Sequence, residues 1–199
     1  MKNKNKRFEA IKPYIQGKKV LDIGVVQHDI KNVDKDKWLH RLICEAAEDT
    51  KGIDIDKEGI NYLKEKGYNV EYADAQEFDL NEKFDVVVAG ELIEYLDNFQ
   101  GFLKSVKKHL KQDGLFILTT PNVFYFRHFF QVLFFNKPRL NPEHTCWFDE
   151  NTLKQLLNRY GFKEKSVHYA TGGKSGKIGK LIPLPKKLKH RYLISIFQK

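Results

Sequence analysis

Three short apolar runs constrain this chain more than anything else in it: Val20-Leu21-Asp22-Ile23-Gly24, Gly52-Ile53-Asp54-Ile55-Asp56 and Phe84-Asp85-Val86-Val87-Val88. They read as buried strands of a parallel sheet, because strands covered on both faces lack the apolar/polar alternation of half-exposed ones. The first two end in an acidic residue. In a doubly wound sheet the ligand crevice lies beyond the carboxyl ends of the strands at the switch point. A glycine after strand one and a carboxylate after strand two therefore point to a nucleoside-containing ligand, with the carboxylate on the ribose hydroxyls.

The segments between these runs supply the helices. Phe8 to Tyr14 predicts a short leading helix closed by Gly17, and Lys19 to Ile23 the first strand. Trp38 to Glu48 has helical spacing, with Leu39, Leu42, Ile43, Ala46 and Ala47 on one side. Strand two is expected at Thr50 to Ile55, followed by a helix capped by Asp56 and closed by Gly67, and a short strand at Val70 to Tyr72. Phe84 to Ala89 predicts strand four, Phe99 to Leu110 a helix, and Leu115 to Thr120 strand five, entered through Gln112-Asp113-Gly114. Asp149 is a candidate N-cap for a helix at Glu150 to Tyr160, with Gly161 just past its end. Strand six is expected at Phe162 to Ala170 and the last strand at Tyr192 to Phe197. The alternation breaks twice. Residues 121–142 form an aromatic-rich insertion read as a lid, and residues 171–191 a Gly-, Lys- and Pro-rich connection, longer than a hairpin needs, read as a basic mobile loop. No internal repeat is visible.

The order of these segments carries a resemblance. The strand-one and strand-two motifs are followed by the acidic turn Tyr72-Ala73-Asp74-Ala75-Gln76, by Ala89-Gly90-Glu91-Leu92-Ile93-Glu94-Tyr95-Leu96, and by a fifth strand ending Thr119-Thr120-Pro121-Asn122. From about Lys18 to Phe162 this resembles the class I S-adenosylmethionine-dependent methyltransferases. It is closest to the small-molecule and glycan-type branch, in which strand four leads into a Glu-Val-Ile-Glu-His-like segment. The resemblance implies a Rossmann-like, doubly wound, mostly parallel α/β sheet of seven strands with helices on both faces, in a single domain spanning residues 1–199.

It also implies a site. Asp22 and Gly24 would bound the loop under the methionyl part of S-adenosylmethionine, Asp54 and Ile55 would meet the ribose, and Asp74 and Ala75 the adenine edge. Glu91 and Tyr95 would stand at the pocket mouth with Glu94, Glu91 facing the cofactor. Glu143-His144-Thr145-Cys146-Trp147-Phe148 resembles the Glu-His segment after the insertion, which makes His144 the candidate general base or acceptor-orienting group, since an imidazole is poised near neutral pH. A structural role for His144 stays open beside that one. No metal ligand set is expected. The chain departs from the family after Gly24, where Val25-Val26-Gln27-His28 replaces a glycine-rich turn. Glycines there let backbone approach a ligand with no Cβ in the way. The loop is therefore either reshaped around the cofactor or no longer a cofactor loop, and Val25 and Val26 read equally as core. His28 reads as a loop surface residue or a partner for the methionine carboxylate, and Trp38 and His40 as packing and capping residues or as a cover for the cofactor.

Charge placement narrows the partners. The 199 residues carry a net charge of +9. Residues 171–199 hold eight Lys or Arg and no acid, residues 1–12 contribute +4, and residues 13–170 are slightly acidic at −3. The basic excess thus belongs to the termini, either as solvated edges or as attraction to an anionic surface. Leu181 to Lys189 mixes apolar and basic residues, which suits peripheral contact with an anionic membrane better than a groove in nucleic acid. No Asp/Asn-Pro-Pro-Tyr-like segment follows strand four, which argues against amine methylation of nucleobases. Cys44 and Cys146 have neither pairing nor metal spacing, and the polar Met1 to Arg7 shows no secretory pattern, so a reduced cytoplasmic compartment is expected. The acceptor is expected to be a small molecule, a glycan precursor or a lipid-linked compound methylated on oxygen, with oligomeric state unassigned. Two rivals stand. A nicotinamide-dependent oxidoreductase is disfavoured by the 30 residues from Gly24 to Asp54, where the dinucleotide fingerprint expects about 20. A methyltransferase-like scaffold without catalysis is compatible with the altered loop.

Overall fold

The three apolar runs lie side by side. In the computed structural model, which describes residues 5–26, 38–138, 141–171 and 184–199, β1 (Lys19–Ile23) pairs in parallel with β2 (Asp49–Asp54) on one side and β4 (Phe84–Gly90) on the other. β3 (Val70–Tyr72) and β5 (Leu110–Pro121) extend the parallel sheet at its two ends. β7 (Tyr192–Gln198) runs antiparallel between β5 and β6 (Lys163–Ala170), giving the order β3-β2-β1-β4-β5-β7-β6. This is the expected seven-stranded, doubly wound sheet. Strand order reverses between β1 and β4, so a crevice opens beyond their carboxyl ends.

Helices cover both faces because successive strand residues point to opposite sides. Val86 and Val88 of β4 face one layer with Ile11 and Ile15 of α1 (Lys6–Ile15) and Ile43 of α2 (Leu39–Ala46). Val87 and Ala89 face the other, with Phe102 and Leu103 of α4 (Phe99–His109) and Leu153 and Leu157 of α6 (Glu150–Arg159). Each wholly buried Phe or Leu in these layers contributes roughly 2 kcal/mol. A smaller cluster joins Ile60 and Leu63 of α3 (Lys57–Glu65) to Val25, Trp38 and Val70.

The local signals act as their chemistry dictates. Asp56 caps α3 by accepting from Gly59 N, and Asp149 caps α6 in a reciprocal box with Thr152. Gly161 follows α6 with φ +80°, a conformation that favours glycine. Three expectations need correction. β5 begins at Leu110 rather than Leu115, since Leu110 pairs with Phe84 across a register shift and Asp113, at φ +59°, absorbs the irregularity inside the strand. α2 starts one residue after Trp38, which makes no side-chain cap bond. The connection read as mobile over 171–191 includes a fixed part. Lys186–Lys189 forms one helical turn, and Asn122 Nδ2 donates to the carbonyls of Lys187 (2.6 Å) and His190 (2.7 Å). Within the insertion at 121–142, α5 (Phe126–Phe135) has no buried residue, and Phe129, Leu133, Phe134 and Phe135 are each 60–69% exposed. Among the described residues no helix is long and apolar enough to cross a membrane.

Candidate active site

A cavity of about 710 Å³ occupies the crevice and is lined by Asp22, Gly24, Asp54, Ile55, Asp74, Ala75, Glu91, Tyr95 and His144. His28 lies outside the described residues, as do Leu181, Ile182 and Pro183 of the basic tail.

One half is built from the ends of β1, β2 and β3. Gly24 holds φ +81° and donates its N–H to Ile53 O at 2.9 Å, and a Cβ there would come within 3.3 Å of Leu92 Cδ1. The altered loop has a defined answer for its missing glycines. Val25 turns into the core, 2% exposed, and Val26 N–H donates to Asp54 Oδ2 at 2.8 Å. Asp54 Oδ1 accepts from Asp56 N at 3.0 Å. Burial pushes the Asp54 carboxyl up from the ordinary carboxylate range, against those N–H donors that favour its charge. Ile55, 61% exposed, forms the rim. Asp74 fixes its own turn by accepting from Gln76 N at 2.8 Å, while Gln76 Oε1 accepts from Asp97 N and Asn98 N at the start of α4.

Asp22 reaches this half as part of a buried ion pair. Its Oδ2 lies 2.9 Å from His40 Nδ1, and both side chains are nearly inaccessible. Burial opposes charge on His40, but the bonds to Asp22 and to Cys44 Sγ outweigh it and raise its pKa to about 9. His40 is therefore protonated at neutral pH. Gly52 makes room for it: a Cβ on β2 at that point would stand 2.8 Å from His40 Cε1 and from Val25 Cγ1. Trp38 Nε1 donates to Val25 O at 2.9 Å and meets Tyr68 edge-on. Trp38 and His40 thus pack and brace the loop, and His40 serves as a charge partner, a role the sequence reading missed.

The other half is built from the ends of β4, β5 and β7 with α1 and the insertion. Glu91 leaves β4 with φ +57°, its N–H donated to Thr119 O, and its carboxylate lies 3.7 Å from Arg7 Nη1. Burial raises its pKa, while Arg7 and Arg191 work the other way. Glu94 is 1% exposed. Its Oε2 accepts from Thr120 Oγ1 at 2.9 Å, whereas its Oε1 has no hydrogen-bond partner among the described residues. Burial, then repulsion from Glu91, pushes this carboxyl up to about 8. Tyr95 Oη accepts from Asn141 Nδ2 at 2.9 Å, and its ring meets the His144 ring edge-on, centroids 4.7 Å apart. Thr145 stitches the His144 segment to the turn after β4 by donating to Glu94 O and Leu96 O. Arg7, His128, Asn141 and Arg191 also line this half and were not singled out from the sequence. Arg7 was hidden in a terminal charge run. Arg191 was accessible through topology, because β7 pairs with β5 with Tyr192 opposite Pro121 and so places Arg191 beside Asn122.

Comparison with known proteins fits this geometry. A family model described as a methyltransferase domain matches residues 6–167, and the chain belongs to that family, the class I S-adenosylmethionine-dependent methyltransferases. Among curated proteins, the ubiquinone biosynthesis O-methyltransferase of Rickettsia conorii is 36% identical over 63 residues, covering 31% of this chain and 22% of that protein. Its counterpart in Rickettsia canadensis is 35% identical over the same length, covering 27% of that protein. The match thus spans about a quarter of the relatives' length. Among solved structures, a SAM-dependent methyltransferase from Archaeoglobus fulgidus superposes with a TM-score of 0.70 at 20% identity, covering 97% of this chain and 91% of that one. The N-methyltransferase NodS from Bradyrhizobium japonicum WM9, in complex with S-adenosyl-L-homocysteine, gives 0.57 at 12% identity, covering 97% and 83%. The crevice fits S-adenosylmethionine. It offers a carboxylate after β2, an open rim at Ile55 and an acidic turn after β3, and among the described residues it has no glycine cradle of the kind a pyrophosphate needs.

Proposed function

We propose that the protein methylates a hydroxyl group of a small-molecule acceptor, a glycan precursor or lipid-linked compound, with His144 as the base. The observation that carries this reading is that the cofactor residues, Asp54 and Asp74, and the acceptor residues, Tyr95 and His144, line one continuous cavity. Asp54, Ile55, Asp74 and Ala75 hold the cofactor, which supplies a methyl group on a sulfonium centre. Displacement at that carbon needs in-line alignment, and holding the acceptor in place supplies several kcal/mol. Glu91 and Tyr95 position the acceptor, and His144, set edge-on to Tyr95, takes the hydroxyl proton. The O-methyl transfer named for the Rickettsia relatives supports oxygen as the target. The exposed aromatic residues of α5 and the lysines of the Lys186–Lys189 turn support peripheral contact with an anionic membrane from which a lipid-linked acceptor would enter.

The test is isothermal titration with S-adenosylhomocysteine, with NAD as control, followed by an acceptor screen. Micromolar binding of the first alone is expected. His144→Asn should keep that affinity and lose turnover, whereas full turnover in the variant removes His144 from the mechanism.

A further inference from the structure

Two cations converge on the acceptor half without a role in methyl transfer itself. Arg7 from α1 and Arg191 from the start of β7 both lie on the ring of Tyr192, with guanidinium carbons 4.9 Å and 5.3 Å from its centroid. Both line the cavity. Stacking on an aromatic face holds a guanidinium in place while leaving its in-plane donors free, and those donors match a carboxylate or phosphate. Arg7 is balanced by Glu91 at 3.7 Å. Arg191 has no carboxylate in ion-pair contact among the described residues, and the nearby Lys186 and Lys189 add positive potential. Glu94 also lines the cavity, and its buried Oε1 has no hydrogen-bond partner among the described residues. Two guanidinium groups thus act on a single carboxylate, Glu91, on this side of the cavity.

We propose that the acceptor is anionic, with its carboxylate or phosphate held by Arg7 and Arg191. This rests on the methyltransferase reading and specifies its substrate class. Arg7 and Arg191 are specificity-determining residues, and the binding of an anion to them does not require the cofactor.

The experiment follows thermal unfolding of the full chain as sodium chloride is replaced by sodium phosphate, and separately by sodium benzoate, at fixed pH and ionic strength. S-adenosylhomocysteine binding is measured on the same samples. A saturable rise in Tm is expected with at least one anion, and which one responds distinguishes a phosphate from a carboxylate acceptor. Arg191→Gln should weaken that anion at least about tenfold, with Lys186→Gln unchanged. Arg191 is exposed, so its replacement leaves the fold intact, and Arg7→Gln serves as the second variant. The proposal is overturned by the absence of any saturable anion effect, or by an equal effect in Arg191→Gln. Failure of the methyltransferase reading would show instead as absent S-adenosylhomocysteine binding with the anion response retained.

Discussion

Replacing His40 should expose how much the buried pair under the cofactor loop contributes. Asp22 and His40 are 2.9 Å apart and nearly inaccessible, and the pair raises the histidine pKa from 6.5 to about 9. At 1.36 kcal/mol per pKa unit, that shift corresponds to about 3 kcal/mol of folding stability. A base whose folded pKa is raised contributes fully below its unfolded value, so the stabilisation is complete at pH 6 and fades as pH climbs through 9. In His40→Gln the Asp22 carboxylate is left buried without a countercharge, which costs about 3–5 kcal/mol near pH 6.5. The double variant Asp22→Asn/His40→Gln keeps a neutral hydrogen-bonding pair and should recover part of that loss. Urea unfolding of the native chain and the double variant at pH 6, 7.5 and 9.5 isolates the charge, because Glu91 and Glu94 titrate identically in both. The difference should shrink by about 3 kcal/mol across the series. A difference independent of pH would refute a charged His40.

The remaining expectations concern other parts of the cavity and α5. Glu94 has a pKa raised to about 8 by burial and Glu91, so it costs stability as pH rises from 4.5 through 8. Glu94→Gln should therefore gain on the native chain by more than about 1 kcal/mol between pH 5 and 8.5 in the same urea assay. Gly101→Ala places a Cβ 2.3 Å from Gln76 O, a backbone atom that cannot swing aside. It should cost about 2 kcal/mol or more and, by shifting the turn at residues 74–76, weaken S-adenosylhomocysteine binding if that turn holds the cofactor as proposed, checked by melting and titration. Phe134→Ser/Phe135→Ser should change stability by no more than about 0.5 kcal/mol, since both rings are exposed. The same variant should lose flotation with anionic liposomes, and undiminished flotation would remove α5 from the membrane reading.

Much of this architecture was readable from local chemistry. Val70 to Tyr72 was placed to the residue, and the caps at Asp56 and Asp149 followed from side chains that satisfy helix N–H groups one turn away. The start of β5 was not readable, because Leu110 continues the apolar spacing of α4 and only pairing with Phe84 makes it a strand. The cavity residues came from short motifs at strand ends, where sequence order and spatial order agree. His40 and Arg7 escaped because their partners, Asp22 and Glu91, sit 18 and 84 positions away and no periodicity links them. The aromatic run at 124–135 was legible as unusual, but exposure could be read only once the neighbouring elements were in place.

Asn122 has a consequence for how such an enzyme can diversify. Its amide nitrogen clasps the carbonyls of Lys187 and His190, its Oδ1 accepts from Phe124 N, its backbone N–H donates to Arg191 O, and it bridges to Phe148. One residue, through its backbone and its side chain, therefore rivets together the root of α5, the end of the His144 segment and the C-terminal turn. The half of the cavity built from the ends of β1, β2 and β3 comes entirely from residues before 98. Loops hung on Asn122 can be lengthened, exchanged or recharged as a unit to admit a different acceptor, leaving the donor side of the same enzyme untouched.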